Sequence, residues 1–349
     1  MRRDRIRGLL DAARRAYLRS HVRELAPSSW KVQARAAWIA AARRLGYPIS
    51  SPRMPRPRLD PRRRPMRLSR VLVACDLNPD YLDFWPSTRM AWREIVGVDA
   101  TLVLIAPHDQ IPSALRNDPD VTAFEPIEGV HTTFQAQCIR LLYPALVETE
   151  GAVIISDIDL YPLRASYFHQ PLELLDERFF VVYRDDRLDC GEIDIMFNAA
   201  LPVTWGDIFG IATPEDVRRE LAGWADGLEY DGRRGWEGWY TDQRTLYRRL
   251  LSWPGRFERL WLLDDQYCRY NRLNRDKLVH ENGLESWRIE GIRRQEYSDF
   301  NCFVPYRQHL EINREILEIG LDVAGSRRRG AWATPTPLVA RRHDRGRRG

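Results

Sequence analysis

Between residues 67 and 324, short and almost unbroken apolar runs alternate with longer stretches of helical periodicity. No other feature of the chain constrains its fold as much. Ser69–Cys75 (SRVLVAC), Ala100–Ala106 and Gly151–Ser156 (GAVIIS) are too uniformly apolar for half-exposed strands and read as strands covered on both faces. Pro86 opens a helix through Arg89, Trp92 and Ile95 that Gly97 ends; Gln135–Leu146 and Thr241–Leu251 read as further helices. Phe179–Tyr183 and Ile193–Phe197 are weaker strand candidates. The alternation predicts an α/β fold, a mixed and mostly parallel sheet flanked by helices.

The two ends of the chain differ from this middle. Residues 1–49 form a basic extension with two expected helices; in the first, Ile6, Leu9, Leu10, Ala13, Tyr17 and Leu18 share one face. Residues 50–66 are a Pro/Arg-rich linker with little to bury, and 325–349 a basic tail expected to be disordered. Charge follows the same division: +14 over residues 1–66, −16 over 67–324 and +7 over 325–349. An acidic folded region argues against nucleic acid as the ligand. The basic N-terminal region has two readings. One is peripheral contact of residues 1–48 with the inner face of a membrane; the other is packing on the acidic core.

No apolar run approaches the roughly 20 residues of a membrane-spanning helix, since Ala36–Ala42 stops at Arg43. The five cysteines (Cys75, Cys138, Cys190, Cys268 and Cys302) are widely spaced and contain no C-x-x-C pair. That excludes a disulfide framework and a cysteine zinc site, and a cytoplasmic protein is expected.

In open α/β sheets, ligands gather beyond the carboxyl ends of the strands. The first strand runs into Asp76, and GAVIIS runs into Asp157-Ile158-Asp159. Two carboxylates at that position suit a hard divalent cation that carries substrate phosphates. Spacing alone says little: 28 aspartates in this length give roughly two D-x-D triplets by chance, and two are present. Position decides between them. Asp118-Pro119-Asp120 lies in a polar loop, whereas Asp157 and Asp159 stand at the mouth of an apolar strand.

The segment from Arg140 through Leu141-Leu142-Tyr143-Pro144-Ala145-Leu146, a short acidic turn and then VIISDID resembles the central block of nucleotide-sugar glycosyltransferases with the GT-A (Rossmann-like) fold. It is closest to the group that includes glycogenin and the lipopolysaccharide galactosyltransferases. Met196-Phe197-Asn198-Ala199-Ala200 resembles that group's Phe-Asn-x-Gly segment, and Thr241-Asp242-Gln243 its Asp-Gln-Asp motif. Val279-His280-Glu281-Asn282-Gly283 resembles its late His-x-x-Gly. The resemblance spans about residues 70–290. Departures are Arg244 in place of an acid, Ala200 in place of a glycine, and Glu285-Ser286-Trp287 where Lys-Pro-Trp is usual. Arg288, Arg293 or Arg294 are candidates to replace the missing phosphate-contacting lysine.

The resemblance implies a metal-dependent glycosyltransferase that uses a UDP- or GDP-sugar and an unknown hydroxyl acceptor. Asp157, Asp159 and His280 would hold Mn²⁺ or Mg²⁺. Asp242 and Gln243 would be catalytic, and Arg140, Asp157 and Asn198 would contact the donor. Cys75, Asp76, Asn78 and Tyr81 follow the first strand, where this fold cradles the base. Trp236, Trp239 and Tyr240, in the glycine-broken GRRGWEGWY, offer aromatic faces to an acceptor sugar; tryptophans more often fill a core. Two rival readings stay open: a sugar-phosphate nucleotidyltransferase on a related fold, and a non-catalytic carbohydrate- or membrane-surface-binding protein.

Overall fold

A computed structural model describes residues 62–331, apart from 174, 185, 186, 188–190, 264, 266, 267, 269 and 279–285. The expectations for residues 1–49, for the linker up to residue 61 and for the tail beyond 331 lie outside the described residues. So does His280.

The strands are β1 (Leu68–Asp76), β2 (Asp99–Ile105), β3 (Val121–Phe124), β4 (Ala152–Ile155), β5 (Leu160–Pro162), β6 (Phe180–Val182), β7 (Asn198–Ala200), β8 (Leu260–Leu262), β9 (Arg272–Asn274) and β10 (Asp299–Asn301). Seven of them form one sheet in the order β3-β2-β1-β4-β7-β6-β8, with β7 alone antiparallel to its neighbours. The other three form a small sheet, β5-β10-β9. The expected fold class is therefore the observed one.

Alternation along β1 explains the layering. Val71, Val73 and Cys75 join one core cluster, and Leu72 and Ala74 join the other. The first cluster packs under α1 (Trp85–Ala91), α3 (Ala165–Glu173) and α8 (Leu310–Ala331). The second packs under α2 (Thr132–Ile139), α4 (Pro202–Phe209), α5 (Pro214–Ala225) and α6 (Thr241–Ser252). A helix of the small-sheet region, α7 (Ser286–Arg293), precedes β10.

Several local expectations shift. The helix expected over Gln135–Leu146 is two pieces: α2 ends at Ile139, and a 3₁₀ turn occupies Tyr143–Leu146. Pro144 has no N–H to continue the ladder. The strand expected at Ile193–Phe197 lies instead at Asn198–Ala200. There the Asn198 amide donates to the carbonyls of Asp194 and Ile195 (2.9 and 2.8 Å), which turns the preceding segment back on itself. β9 ends at Asn274, before a 3₁₀ turn over Arg275–Lys277. At the C-terminal end, α8 continues past residue 324 through Gly325. At the other end, Met66 is already core, its N–H bonded to the Leu175 carbonyl at 2.7 Å.

Candidate active site

β1 and β4 are neighbours at the place where the strand order reverses, with β2 and β3 to one side and β7, β6 and β8 to the other. A crevice beyond the carboxyl ends of such strands is where α/β sheets bind ligands. Asp76 closes β1, and Asp157 and Asp159 follow β4. Asn198 opens β7 in register with Ile155, so the antiparallel strand delivers its first residue to the same end of the sheet.

Arg140 caps α2 and organises the centre of this crevice. It is buried, and each of its nitrogens is engaged. Nη1 pairs with Asp157 Oδ1, Nη2 reaches Asp242 Oδ2 at 3.5 Å, and Nε donates to the Gln137 carbonyl at 3.2 Å. Asp242 sits in the first turn of α6 and is 3% exposed. Burial raises its carboxyl from 3.8 to about 6 despite the pull of Arg140, and burial likewise lowers the Arg140 guanidinium.

A carboxyl whose pKa is raised by folding binds its proton more tightly in the folded state. It therefore favours folding most below pH 4, and that contribution is lost as the pH climbs through 6. Asp242→Asn should consequently melt near the wild-type temperature at pH 4 and above it at pH 7, while losing turnover. Melting curves across pH 4–8 check this, and a constant offset between the two proteins would contradict the buried charge.

Two amide oxygens beside this network, Asn198 Oδ1 and Gln243 Oε1, are buried without a hydrogen-bond partner among the described residues. Such groups cost about 1–3 kcal/mol each when they find no donor. The Gln243 carbonyl accepts from Ile193 N–H at 3.2 Å, which fixes α6 against the segment leading into β7.

Asp159 is held from a different direction. Its Oδ2 accepts from Arg275 Nη1 at 3.1 Å, and the same nitrogen donates to the Cys302 carbonyl at 2.5 Å. The Cys302 N–H returns to the Asp159 carbonyl at 2.9 Å. Arg275 follows β9 of the small sheet, and no local motif in the sequence singles it out. Sequence reasoning missed it for that reason.

At the end of β1, Asp76 is occupied by the protein. Its Oδ2 accepts from the hydroxyls of Thr132 and Thr133 (2.8 and 3.0 Å), and Oδ1 from the Asn78 N–H (3.1 Å). Asn78 caps the following turn through Asp80 N–H, as an Asn-Pro-Asp turn should. These two side chains build the loop, a role the sequence left open beside base recognition. Burial raises the Cys75 thiol well above its ordinary range. Tyr81 is half-buried, its hydroxyl raised first by burial and then by Asp159, with Arg275 opposing.

Of the aromatic candidates, Trp236 is half exposed, with the Arg233 guanidinium 4.2 Å from its ring, and Trp239 and Tyr240 are half-buried. Nearby, a cavity of about 390 Å³ is lined by His131, Phe134, Leu228 and Tyr230 among others. His131 caps α2 by accepting from Thr133 N–H and packs edge-on against Tyr230. The His-Thr-Thr sequence before an apolar helix was the readable sign of that cap.

Whether a divalent metal fits can be judged from the donor set. Arg140 engages one oxygen of Asp157 and Arg275 one oxygen of Asp159. The second oxygen of each carboxylate takes no part in these pairs, and hard oxygens of this kind suit Mn²⁺ or Mg²⁺ completed by water and phosphate. Among the described residues no group of three His, Cys, Asp or Glu converges as a ready-made metal cage.

No family model matches the chain, and no curated protein matches it. Solved structures do. The glycosyltransferase GlyE of Streptococcus pneumoniae TIGR4 aligns at TM-score 0.39 and 14% identity over 77% of this chain, which spans 64% of the GlyE chain. The galactosyltransferase LgtC, in complex with donor and acceptor sugar analogs, aligns at TM-score 0.38 and 12% identity over 74% of this chain and 95% of its own. The mannosyltransferase PcManGT of Pyrobaculum calidifontis, in complex with GDP-Man and Mn²⁺, aligns at TM-score 0.33 and 15% identity, covering 94% of this chain and 88% of its own. All three are glycosyltransferases. Among the described residues no helix is long and apolar enough to cross a membrane.

Proposed function

We propose that the protein transfers a sugar from a UDP- or GDP-linked donor to an acceptor hydroxyl, with a divalent ion in the donor site. The observation that carries this reading is the Asp157–Arg140–Asp242 network at the switch point of the sheet, bordered by the unpartnered oxygens of Asn198 and Gln243. Sugar hydroxyls supply the donors that such oxygens need, and each can accept a hydrogen bond as well. When bound, Mn²⁺ or Mg²⁺ would neutralise charge developing on the leaving diphosphate. Asp157 and Asp159 would hold it, with His280 as the third ligand.

The chain's own residues have separable roles in this reading. Arg140 fixes the orientation of Asp157 and Asp242 through its two Nη atoms. Asp242 and Gln243, at the start of α6, and Asn198, at the start of β7, form the sugar-facing wall. Tyr81 stacks on the base, with the Asp76–Asn78 loop supporting it. Trp236, Trp239 and Tyr240 form the acceptor side. The nucleotidyltransferase rival wants a flexible, basic phosphate loop after β1, and the loop there is acidic and tied to Thr132 and Thr133.

A panel of UDP- and GDP-sugars incubated with Mn²⁺ or Mg²⁺ tests the proposal. Release of nucleoside diphosphate from one of them, lost on adding a chelator, is expected. Pyrophosphate release from a nucleoside triphosphate and a sugar phosphate would favour the rival chemistry. Carbohydrate binding with no donor turnover would leave only the non-catalytic reading.

A further inference from the structure

We infer that Arg275 is the residue that grips the donor's diphosphate, an inference that rests on the glycosyltransferase reading above. A diphosphate bound at this end of the sheet lies beside the carboxylates of Asp157 and Asp159 and needs cations beyond a single metal ion. Arg140 cannot serve. It is buried, and its three nitrogens are already engaged with Asp157, Asp242 and the Gln137 carbonyl. Of the arginines that the sequence offered for this task, Arg294 is tied to Glu296 at the surface, Arg293 is exposed on α7, and Arg288, on the same helix, is half-buried and already has an interaction of its own.

Arg275 has the opposite geometry. Both of its hydrogen bonds, to Asp159 Oδ2 and to the Cys302 carbonyl, leave from Nη1. The Nη2 and Nε donors, which form one edge of the guanidinium fork, take no part in them. A planar guanidinium held at one corner, its other edge unengaged among the described residues, is pre-organised for two oxygens of a phosphate. Its side chain is 24% exposed, shielded enough to strengthen a charged contact yet reachable from solvent.

Its surroundings place it at the site. Asp159 follows β4 two residues after Asp157, so Arg275 stands at the same end of the sheet as the Arg140–Asp157 pair. The closed triangle of Asp159, Cys302 and Arg275 keeps the guanidinium in place before donor arrives.

The test is binding rather than turnover. In the full chain, Arg275→Met should raise the Kd for UDP or GDP by roughly 10- to 100-fold, with or without Mn²⁺, as loss of a charged, two-point contact does. Binding of the bare nucleoside, uridine or guanosine, followed by ligand-observed NMR, should not change. Arg275→Lys should recover part of the loss, and it carries the test alone if the Met variant misfolds. Wild-type affinity for the diphosphate in both variants would overturn the assignment. An equal loss for nucleoside and diphosphate would do the same, because it would mark a purely structural ion pair. If the wild-type protein binds neither UDP nor GDP in any condition, the glycosyltransferase reading itself falls, a result plainly separate from either.

Discussion

Asp157→Asn and Asp159→Asn should each lower donor turnover roughly 100- to 1000-fold, the range for loss of one charge-stabilising group at a reacting centre. Both residues follow a strand that is wholly buried, but neither carboxylate belongs to the core. Asp157 is 28% exposed and Asp159 13%, and each is paired with an arginine through one oxygen. An amide keeps the shape and one acceptor oxygen, so melting should move by only a few degrees. Metal dependence supplies the sharper readout. In either variant the Mn²⁺ concentration for half-maximal nucleotide binding should rise, even where residual turnover is too low to measure. Full activity in both variants, at unchanged metal dependence, would remove these residues from the metal site.

The second large effect is on stability. Arg140→Met should strand the buried Asp242 carboxylate and remove the partner of Asp157. Breaking a buried pair from one side costs about 3–5 kcal/mol, which for a chain of this size corresponds to a fall in melting temperature of roughly 5–10 °C. The loss should shrink as the pH is lowered toward 6, because Asp242 freed from the downward pull of Arg140 takes up its proton above that value. Adding Asp242→Asn to Arg140→Met should restore much of the lost stability without restoring turnover. A double-mutant cycle in which the two changes simply add would mean that Arg140 and Asp242 are not coupled.

How much of this was legible in the sequence depends on how local each feature is. β1, β2 and β4 could be read because central parallel strands are apolar on both faces, and SRVLVAC and GAVIIS have no helical alternative of adequate length. The site residues closest to those strands could be read with them: Asp76, Asp157 and Asp159 follow from where the strands stop. Ile193–Phe197 was misplaced because its apolar residues serve opposite core layers through a turn that Asn198 holds, and alternation through a turn imitates a strand. Arg275 stayed hidden because its meaning comes from Asp159, 116 residues earlier in the chain. Asp76 shows what position alone does not say: its hydrogen bonds to Thr132 and Thr133 also brace β1 against α2.

The triangle that secures Asp159 also has a bearing on how the protein is made. The large sheet draws β1 to β4 from the first half of the chain, whereas Cys302 and Arg275 lie in the small sheet near its end. During synthesis, the Rossmann-like half can begin to collapse while Asp159 still lacks both partners, since domains order themselves as the chain emerges. A nascent or C-terminally clipped chain would carry β1 to β4 yet leave Asp159 without the two partners that hold it.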